Sequence, residues 1–569
     1  MPARAPEMIA ASRFDEIVAQ PPEFARLQAQ YDTIADRLEN AQTADEGVRA
    51  FEDWDVLRRG FATWAALAEL QFQRDTGDAQ YKAGVELLNE LRPKIEGLDV
   101  AMKRRFLGSP WRDQLEAALG AYLFARWETD VTAYDPVVEP FAVEESTLQD
   151  EYTALVAAAQ IPFRGETLNL SLLGRYLEDP DRETRREATL AKWRFFEERS
   201  GDIDRIFDGL VRVRDRMARD LDFRNFTELA YRRLARTDYG AAEVARWREE
   251  IQREIVPLAD RIVKRQARDL GIERVMLWDE KVFAKAGTPR PPQQYAAMVA
   301  AGRESYNALG PELGSFAGMM FDRDLVDLQS RKNKASAGFC TSFPEYGLPY
   351  VFANFNGTTH DVNVLVHEFG HAFQTYSSRN QPALEYLWPT YEACEIHSMS
   401  MEFFMWPQLE RFFGEKAQQY RIEHLMSTIA VLPYAAAVDH FQHLVYEHPE
   451  AGPQERHAFW RQVEAAYMPW RRYDGIAHLE RGAFWHQQRH IFIVPFYYID
   501  YTLAACCALQ FWIRSLDDYE GALAEYKQLC ARGGTLPFQS LVRSAGLKSP
   551  FEAGVLRDAA ERAAEMIGV

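Results

Sequence analysis

Apolar residues recur at steps of three and four along most of this chain, and that helical period constrains its fold more than any other feature. Residues 44–74 carry Phe51, Trp54, Leu57, Phe61, Trp64, Leu67 and Leu70 on such a stripe, with charges between several of them. A second helical block runs from Asp179-Pro180-Asp181 to about Asp220. Asp179 is its expected N-cap and Pro180 its first helical residue, with acids in the first turn. Trp193, Phe196, Ile206, Phe207 and Val211 form its expected buried face. The Arg-rich runs RETRREA and RVRDRMARD within it read as solvated faces with i,i+4 ion pairs. Strand signals are few. One short strand is expected within residues 161–170. The clearest β segment is 335–357, where two aromatic and β-branched runs flank a turn at Tyr346-Gly347. A Pro/Gly loop at 286–292 separates long helical blocks and is a candidate hinge. The expected fold class is mostly α, with one small β-sheet.

Charge and cysteine usage narrow the function classes. The chain has 569 residues, enough for several small domains or one large bilobal unit. It has 66 basic against 85 acidic residues, a net charge of −19, which argues against nucleic acid as a partner. The five cysteines are odd in number and show no repeated spacing, so no disulfide framework is expected and a reducing compartment is. Cys506 and Cys507 read as buried helix packing. No apolar run of signal-peptide length precedes Asp15 and Glu16. The longest strongly apolar stretch, 503–513, is shorter than the ~20 residues a membrane span needs. The expectation is a cytoplasmic protein with no membrane partner.

Residues 361–375, DVNVLVHEFGHAFQT, carry the chemistry. Val362, Leu365, Val366, Phe369, Ala372 and Phe373 have helical spacing. His367 and His371 stand four apart, so on a helix both imidazoles lie one turn apart on one face and can reach one ion. Glu368 falls about 100° round from His367, beside that ion and free to hold a water. Imidazoles of this kind suit Zn²⁺. A catalytic zinc also needs a third protein ligand and an open position. Residues 391–403, YEACEIHSMSMEF, supply Glu392, Glu395 and Glu402 on one face of a largely apolar helix. Buried without a cation, these carboxylates would repel and lose hydration at considerable cost. Spacing alone leaves open which glutamate is the ligand. Other histidine pairs, His440/His443 and His486/His490, lack the following glutamate. His440 and His443 read as structural or surface residues.

The segments HEFGHAFQ (367–374), EIHSMSMEF (395–403) and HIFIVPFYYIDY (490–501) resemble the oligoendopeptidase F family, within the group that includes thimet oligopeptidase and neurolysin. A looser likeness runs from about residue 170 to SAGLKSPFEAG (544–554), and residues before about 150 match only as a helical N-terminal region. The resemblance implies a zinc endopeptidase: a large two-lobed helical fold around a deep substrate channel, with a small sheet near the zinc-binding helix. An N-terminal helical region, 1–170, would close over the channel with a catalytic region, 171–569. It implies one Zn²⁺ per chain on His367, His371 and Glu395, with Glu368 as general base. It puts Glu392 where an acid orients a zinc-bound imidazole. It also implies substrate contacts from His490, Tyr498 and Tyr501, with Tyr497 an alternative to Tyr498.

The expected reaction is metal-assisted amide hydrolysis of short oligopeptides. Glu368 would take a proton from water, and a tyrosine hydroxyl or His490 would meet the oxyanion. The strand near 350–354 would hold an extended peptide by backbone pairing. Two alternatives stand. One is a carboxypeptidase or dipeptidyl carboxypeptidase, which needs a cation for the substrate's C-terminus, with Arg489 a candidate by position. The other is a non-enzymatic helical scaffold with a structural zinc, which would not need Glu368 beside the metal. The sequence leaves the oligomeric state open.

Overall fold

The structure, a computed structural model, describes residues 4–285, 287–335 and 337–569. Helices dominate, accompanied among the described residues by a two-stranded hairpin and a three-stranded sheet. The helix Ala44–Arg74 is as long as its period predicts. Thr43 caps it by accepting from the Glu46 N–H at 3.3 Å, and Asp45 and Glu46 fill its first turn. Phe51 and Trp54 are fully buried, and Trp54 packs on Phe106 and Trp127 at ring separations of 5.5 and 5.6 Å. Leu57 and Phe61 pack only at the edge of this cluster. Residues between 27 and 127 build it, joined by Ala383 and Tyr386, while a larger core runs through the rest of the chain.

The second helical block departs from expectation at its start. Its helix is Arg182–Glu198, capped by Asp181 rather than Asp179. Asp181 accepts from both the N–H and the hydroxyl of Thr184, at 2.9 and 2.6 Å. Asp179 instead turns the chain locally by accepting from the Asp181 N–H at 2.8 Å, which leaves Pro180 outside the helix. The block also breaks at Arg199, and a new helix spans Ser200–Asp220. The five expected core residues are all buried. The Arg-rich runs are not wholly solvated: Arg185 is buried on Asp279 at 2.9 Å, and Arg214 on Glu145 at 2.6 Å. Each therefore joins two segments through a desolvated pair.

Strands Ile161–Phe163 and Glu166–Leu168 form the small hairpin. Strands Phe339–Phe343 and Leu348–Phe355 pair antiparallel across the turn at Tyr346-Gly347. A further strand, Val326–Gln329, lies parallel on the other side of Leu348–Phe355. The strand around Tyr350 is thus central and has no free edge for a peptide. The outer strand opposite Val326–Gln329 is Phe339–Phe343.

Of the candidate hinge 286–292, Ala286 lies outside the described residues. The Thr359 hydroxyl donates to the Pro289 carbonyl, tying that loop to the helix that follows the sheet. All five cysteines are free, and Cys506 and Cys507 are fully buried. Among the described residues, no helix is long and apolar enough to cross a membrane.

Candidate active site

The strand Leu348–Phe355 leads through Asn356-Gly357 into the helix Thr359–Ser378. Gly357 takes φ +82°, a conformation that suits glycine, and Asp361 reaches back to accept from the N–H groups of Asn356 and Gly357. This turn fixes the direction in which the His-bearing helix leaves the sheet. Gly370, between Glu368 and His371, sets how near the next element comes. A Cβ there would lie 2.7 Å from Ser398 Cα and 2.8 Å from the His397 carbonyl oxygen. Only glycine lets the helix Tyr391–Phe404 pack this closely, and that approach delivers a carboxylate to the histidines.

The carboxylate is that of Glu395. Its Oε2 lies 3.3 Å from His367 Nε2 and 3.6 Å from His371 Nε2, and one donor atom from each residue falls within 4.8 Å of the others. Burial works against its charge, yet the two imidazoles hold its carboxyl well below the usual range. Ser398 Oγ donates to Glu395 Oε2 at 3.0 Å and Tyr497 OH to Oε1 at 2.5 Å, so both oxygens are held in place. Two imidazoles and one carboxylate match the donor set of a catalytic zinc.

The outer ring of His367 is held by Glu402, not Glu392. Glu402 Oε1 lies 2.8 Å from His367 Nδ1, and its Oε2 lies 2.6 Å from His424 Nε2. Trp406 Nε1 donates to His424 Nδ1 at 3.3 Å, so that His424 carries its proton on Nε2 and gives it to Glu402. Glu402, which accepts from both rings, holds the His367 Nδ1–H and so aims Nε2 at Glu395 and His371. Burial opposes the Glu402 charge, but the His367 and His424 bonds outweigh it and hold the carboxyl at about 2.

Glu392 forms no hydrogen bond or ion pair with either ring. Burial pushes its carboxyl up, with Arg236 opposing, and Arg236 itself pairs with Asp500 at 2.6 Å. The orienting role expected for Glu392 is therefore corrected. Helix phase explains the difference: a seven-residue step returns Glu402 to within about 20° of Glu395, whereas a three-residue step leaves Glu392 about 60° away.

Glu368 is buried beside this cluster without being one of the three donors. Burial pushes its carboxyl up, while His367 and His371 pull it down. It also lies beside the entry to the sheet's outer strand, since a Cβ on Gly338, the residue before Phe339, would be 4.0 Å from Glu368 Oε1.

The His/Tyr segment reaches the site through Tyr497. His490 packs 5.8, 4.8 and 5.9 Å from the rings of Tyr497, Tyr498 and Tyr501, and Tyr501 lies 5.0 Å from Tyr497. Among the tyrosines of this segment, Tyr497 is the one bonded to the donor set. Tyr434 donates to Gln488 Oε1 at 2.6 Å, and Gln488 Nε2 lies 2.9 Å from His490 Nδ1. The amide so oriented donates to Nδ1, which leaves His490 a free Nε2–H donor. Burial, with Arg489 adding to it, holds His490 down to about 4, so the ring is neutral near pH 7. Ser398, Glu402, Trp406, His424, Tyr434 and Gln488 are site residues to which sequence reasoning assigned no role.

A cavity of about 500 Å³ adjoins this arrangement, lined by His360, Asn363, Glu423, His424, Tyr434 and Tyr498 among others. Its two cations are matched. Arg471 makes a two-pronged pair with Glu280 at 2.8 and 2.9 Å, and Lys281 lies 3.7 Å from Glu178. Arg489 is exposed and is not part of its lining.

Residues 14–134 match the peptidase M3 N-terminal domain, and residues 304–561 match peptidase family M3. A search of curated proteins returned no match. Among solved structures, PZ peptidase A with an inhibitor has a TM-score of 0.95 and 42% identity, over 98% of this chain and 99% of its own. A protein assigned as oligoendopeptidase F has a TM-score of 0.95 and 43% identity over the same shares. Another so assigned, from Bacillus anthracis str. Ames, has a TM-score of 0.90 and 39% identity, again over 98% and 99%. Fold and site together define a metallopeptidase. The chain belongs to peptidase family M3, as an oligoendopeptidase F-like member.

Proposed function

We propose that the chain is a zinc-dependent endopeptidase that hydrolyses internal bonds of short, unstructured oligopeptides in the cytoplasm. The observation that carries this reading is the convergence of His367, His371 and Glu395 donor atoms within 4.8 Å, with Glu368 beside them and left out of the set. In the proposed roles, those three hold one catalytic Zn²⁺ per chain. The ion supplies Lewis-acid chemistry, lowering the pKa of water and polarising the scissile carbonyl.

Glu368 accepts the proton of the attacking water and passes it to the leaving amine, and its buried carboxyl is suited to both steps. His490 donates from Nε2–H to the oxyanion, with Gln488 and Tyr434 holding it in that tautomer. Tyr501 and Tyr498 supply further contacts to the substrate, while Tyr497 is engaged in fixing Glu395. An extended peptide adds to the outer strand Phe339–Phe343, whose entry at Gly338 runs beside Glu368. The N-terminal region, 1–170, closes over the channel with residues 171–569, and that closure limits substrates to short, unfolded chains. Matched cations around the cavity favour internal cleavage, because a carboxypeptidase needs a free cation for the terminal carboxylate. A structural zinc scaffold has no use for Glu368.

Chelator treatment should abolish peptidase activity and added zinc should restore it. Full activity in metal-stripped protein would overturn the assignment.

A further inference from the structure

Three more histidines gather far along the chain from the peptidase motif, around Asp204. Asp204 sits just past the first turn of the helix Ser200–Asp220, and His457 near the start of the helix Pro453–Tyr467. His478 belongs to the short helix Ala477–Glu480, and His486 to the 3-10 turn Ala483–Gln487. Four separate elements thus send these side chains to one place. One donor atom each from Asp204, His457 and His486 falls within 4.8 Å of the others, the same compactness found for the catalytic donors. His486 Nε2 lies 3.0 Å from Asp204 Oδ1, and the His457 and His486 rings are 5.3 Å apart. The His478 ring is 5.1 Å from that of His486.

A hydrogen-bonded His486–Asp204 pair alone does not account for the cluster. His478 and His486 are fully buried, yet both nitrogens of His478 and Nδ1 of His486 have no hydrogen-bond partner among the described residues. Buried polar atoms left in this state cost stability unless something satisfies them. The surroundings are aromatic, with Trp485 packed edge-on at 4.4 Å from His486 and Trp193 at 6.1 Å from His478. The neighbouring cations are neutralised elsewhere: Arg456 pairs with Asp208 at 2.9 Å and Arg481 with Glu197 at 3.3 Å. What remains is two imidazoles and a carboxylate, a donor set suited to Zn²⁺ and its divalent first-row neighbours.

We propose that Asp204, His457 and His486 form a second divalent-metal site, of the Zn²⁺ class and structural in role, with His478 packed beside it. The ion would clamp the helix Ser200–Asp220 to the segment that, four residues after His486, presents His490. Tyr152 fastens the same segment by donating to the His486 carbonyl at 2.9 Å. The site stands on its own geometry and does not depend on the peptidase reading.

The test counts ions. The full chain is stripped with chelator, reloaded with Zn²⁺, desalted and assayed for bound metal. Wild type should retain two equivalents, the His367→Ala/His371→Ala variant one, and His457→Gln one. In the variant lacking the catalytic histidines, added Co²⁺ should produce a d–d absorption band and raise the melting temperature. Asp204→Asn introduced into that background should remove both responses. A folded His367→Ala/His371→Ala variant that retains no zinc, or wild type that retains none, would overturn the proposal, whatever the catalytic donors bind. Two equivalents in wild type that persist in His457→Gln would also overturn it, by placing the second ion elsewhere.

Discussion

Replacing Glu402 by Gln isolates the contribution of an acid that touches no metal in the proposed scheme. The side chain keeps its shape, and its remaining oxygen can still accept from His367 Nδ1. Its new NH₂ group must face His424 Nε2–H, donor against donor, because Trp406 already occupies His424 Nδ1. The charge on the His367 bond, 2.8 Å long, is lost as well. A hydrogen bond to a charged group contributes about 1.5–3 kcal/mol. At about 1.4 kcal/mol per factor of ten, zinc affinity should fall roughly 10- to 100-fold. Affinity is read by competition against a chromophoric chelator, and turnover is then measured at saturating zinc. Turnover should stay within a few-fold of wild type, because Glu368 and His490 are untouched. Unchanged affinity in Glu402→Gln would refute the orienting role. A larger loss in Glu392→Gln would return that role to Glu392.

Glu368→Gln should bind zinc normally and lose roughly 10²–10⁴ in turnover, and an unchanged rate would show that the proton goes elsewhere. Tyr501→Phe removes one hydroxyl and little volume. If that hydroxyl meets the oxyanion, kcat and kcat/KM should fall together by roughly 10²–10³ with zinc content and Tm unchanged, and a fully active variant would take it out of the mechanism. Gly370→Ala should destabilise the fold by about 1–3 kcal/mol and weaken zinc binding, since the new Cβ meets backbone atoms of the glutamate helix; normal Tm and zinc content would contradict the close-approach account. Burial pushes Glu423 up to about 7, against the opposing pull of Gln419 and Lys416. The folded state therefore holds a proton that the unfolded chain releases at lower pH, and its stabilising contribution is lost as pH rises towards and through about 7. Glu423→Gln should raise Tm relative to wild type at pH 8 and not at pH 4, and equal Tm differences at both would exclude this linkage.

The His367/His371 pair was legible because an i,i+4 spacing acts within one helix and needs no knowledge of the fold. Much of the helical core was legible for the same reason: Trp54, Trp193 and Phe207 all lie on stripes set by local period. What escaped the sequence depends on neighbours. Glu402 and Glu392 look alike by composition, and only helix phase combined with the placement of His424 separates them. Tyr497 differs from Tyr498 and Tyr501 by which way one short turn faces, a matter decided by packing. The strand Val326–Gln329 is four residues long, too short for its Val-Asp-Leu-Gln alternation to stand out in the sequence, and is held by pairing with residues from Val351 to Phe355. Arg185 and Arg214 look like solvated charges until distant acids, Asp279 and Glu145, fold onto them.

The central claim is tested most directly with an internally quenched peptide of about ten residues, blocked at both ends, incubated with the zinc-loaded chain, the products being identified by mass spectrometry. The account predicts cleavage at internal bonds, abolished by chelation and by Glu368→Gln and restored to the wild type by zinc. No cleavage of the blocked peptide, alongside release of C-terminal residues from its unblocked counterpart, would contradict it.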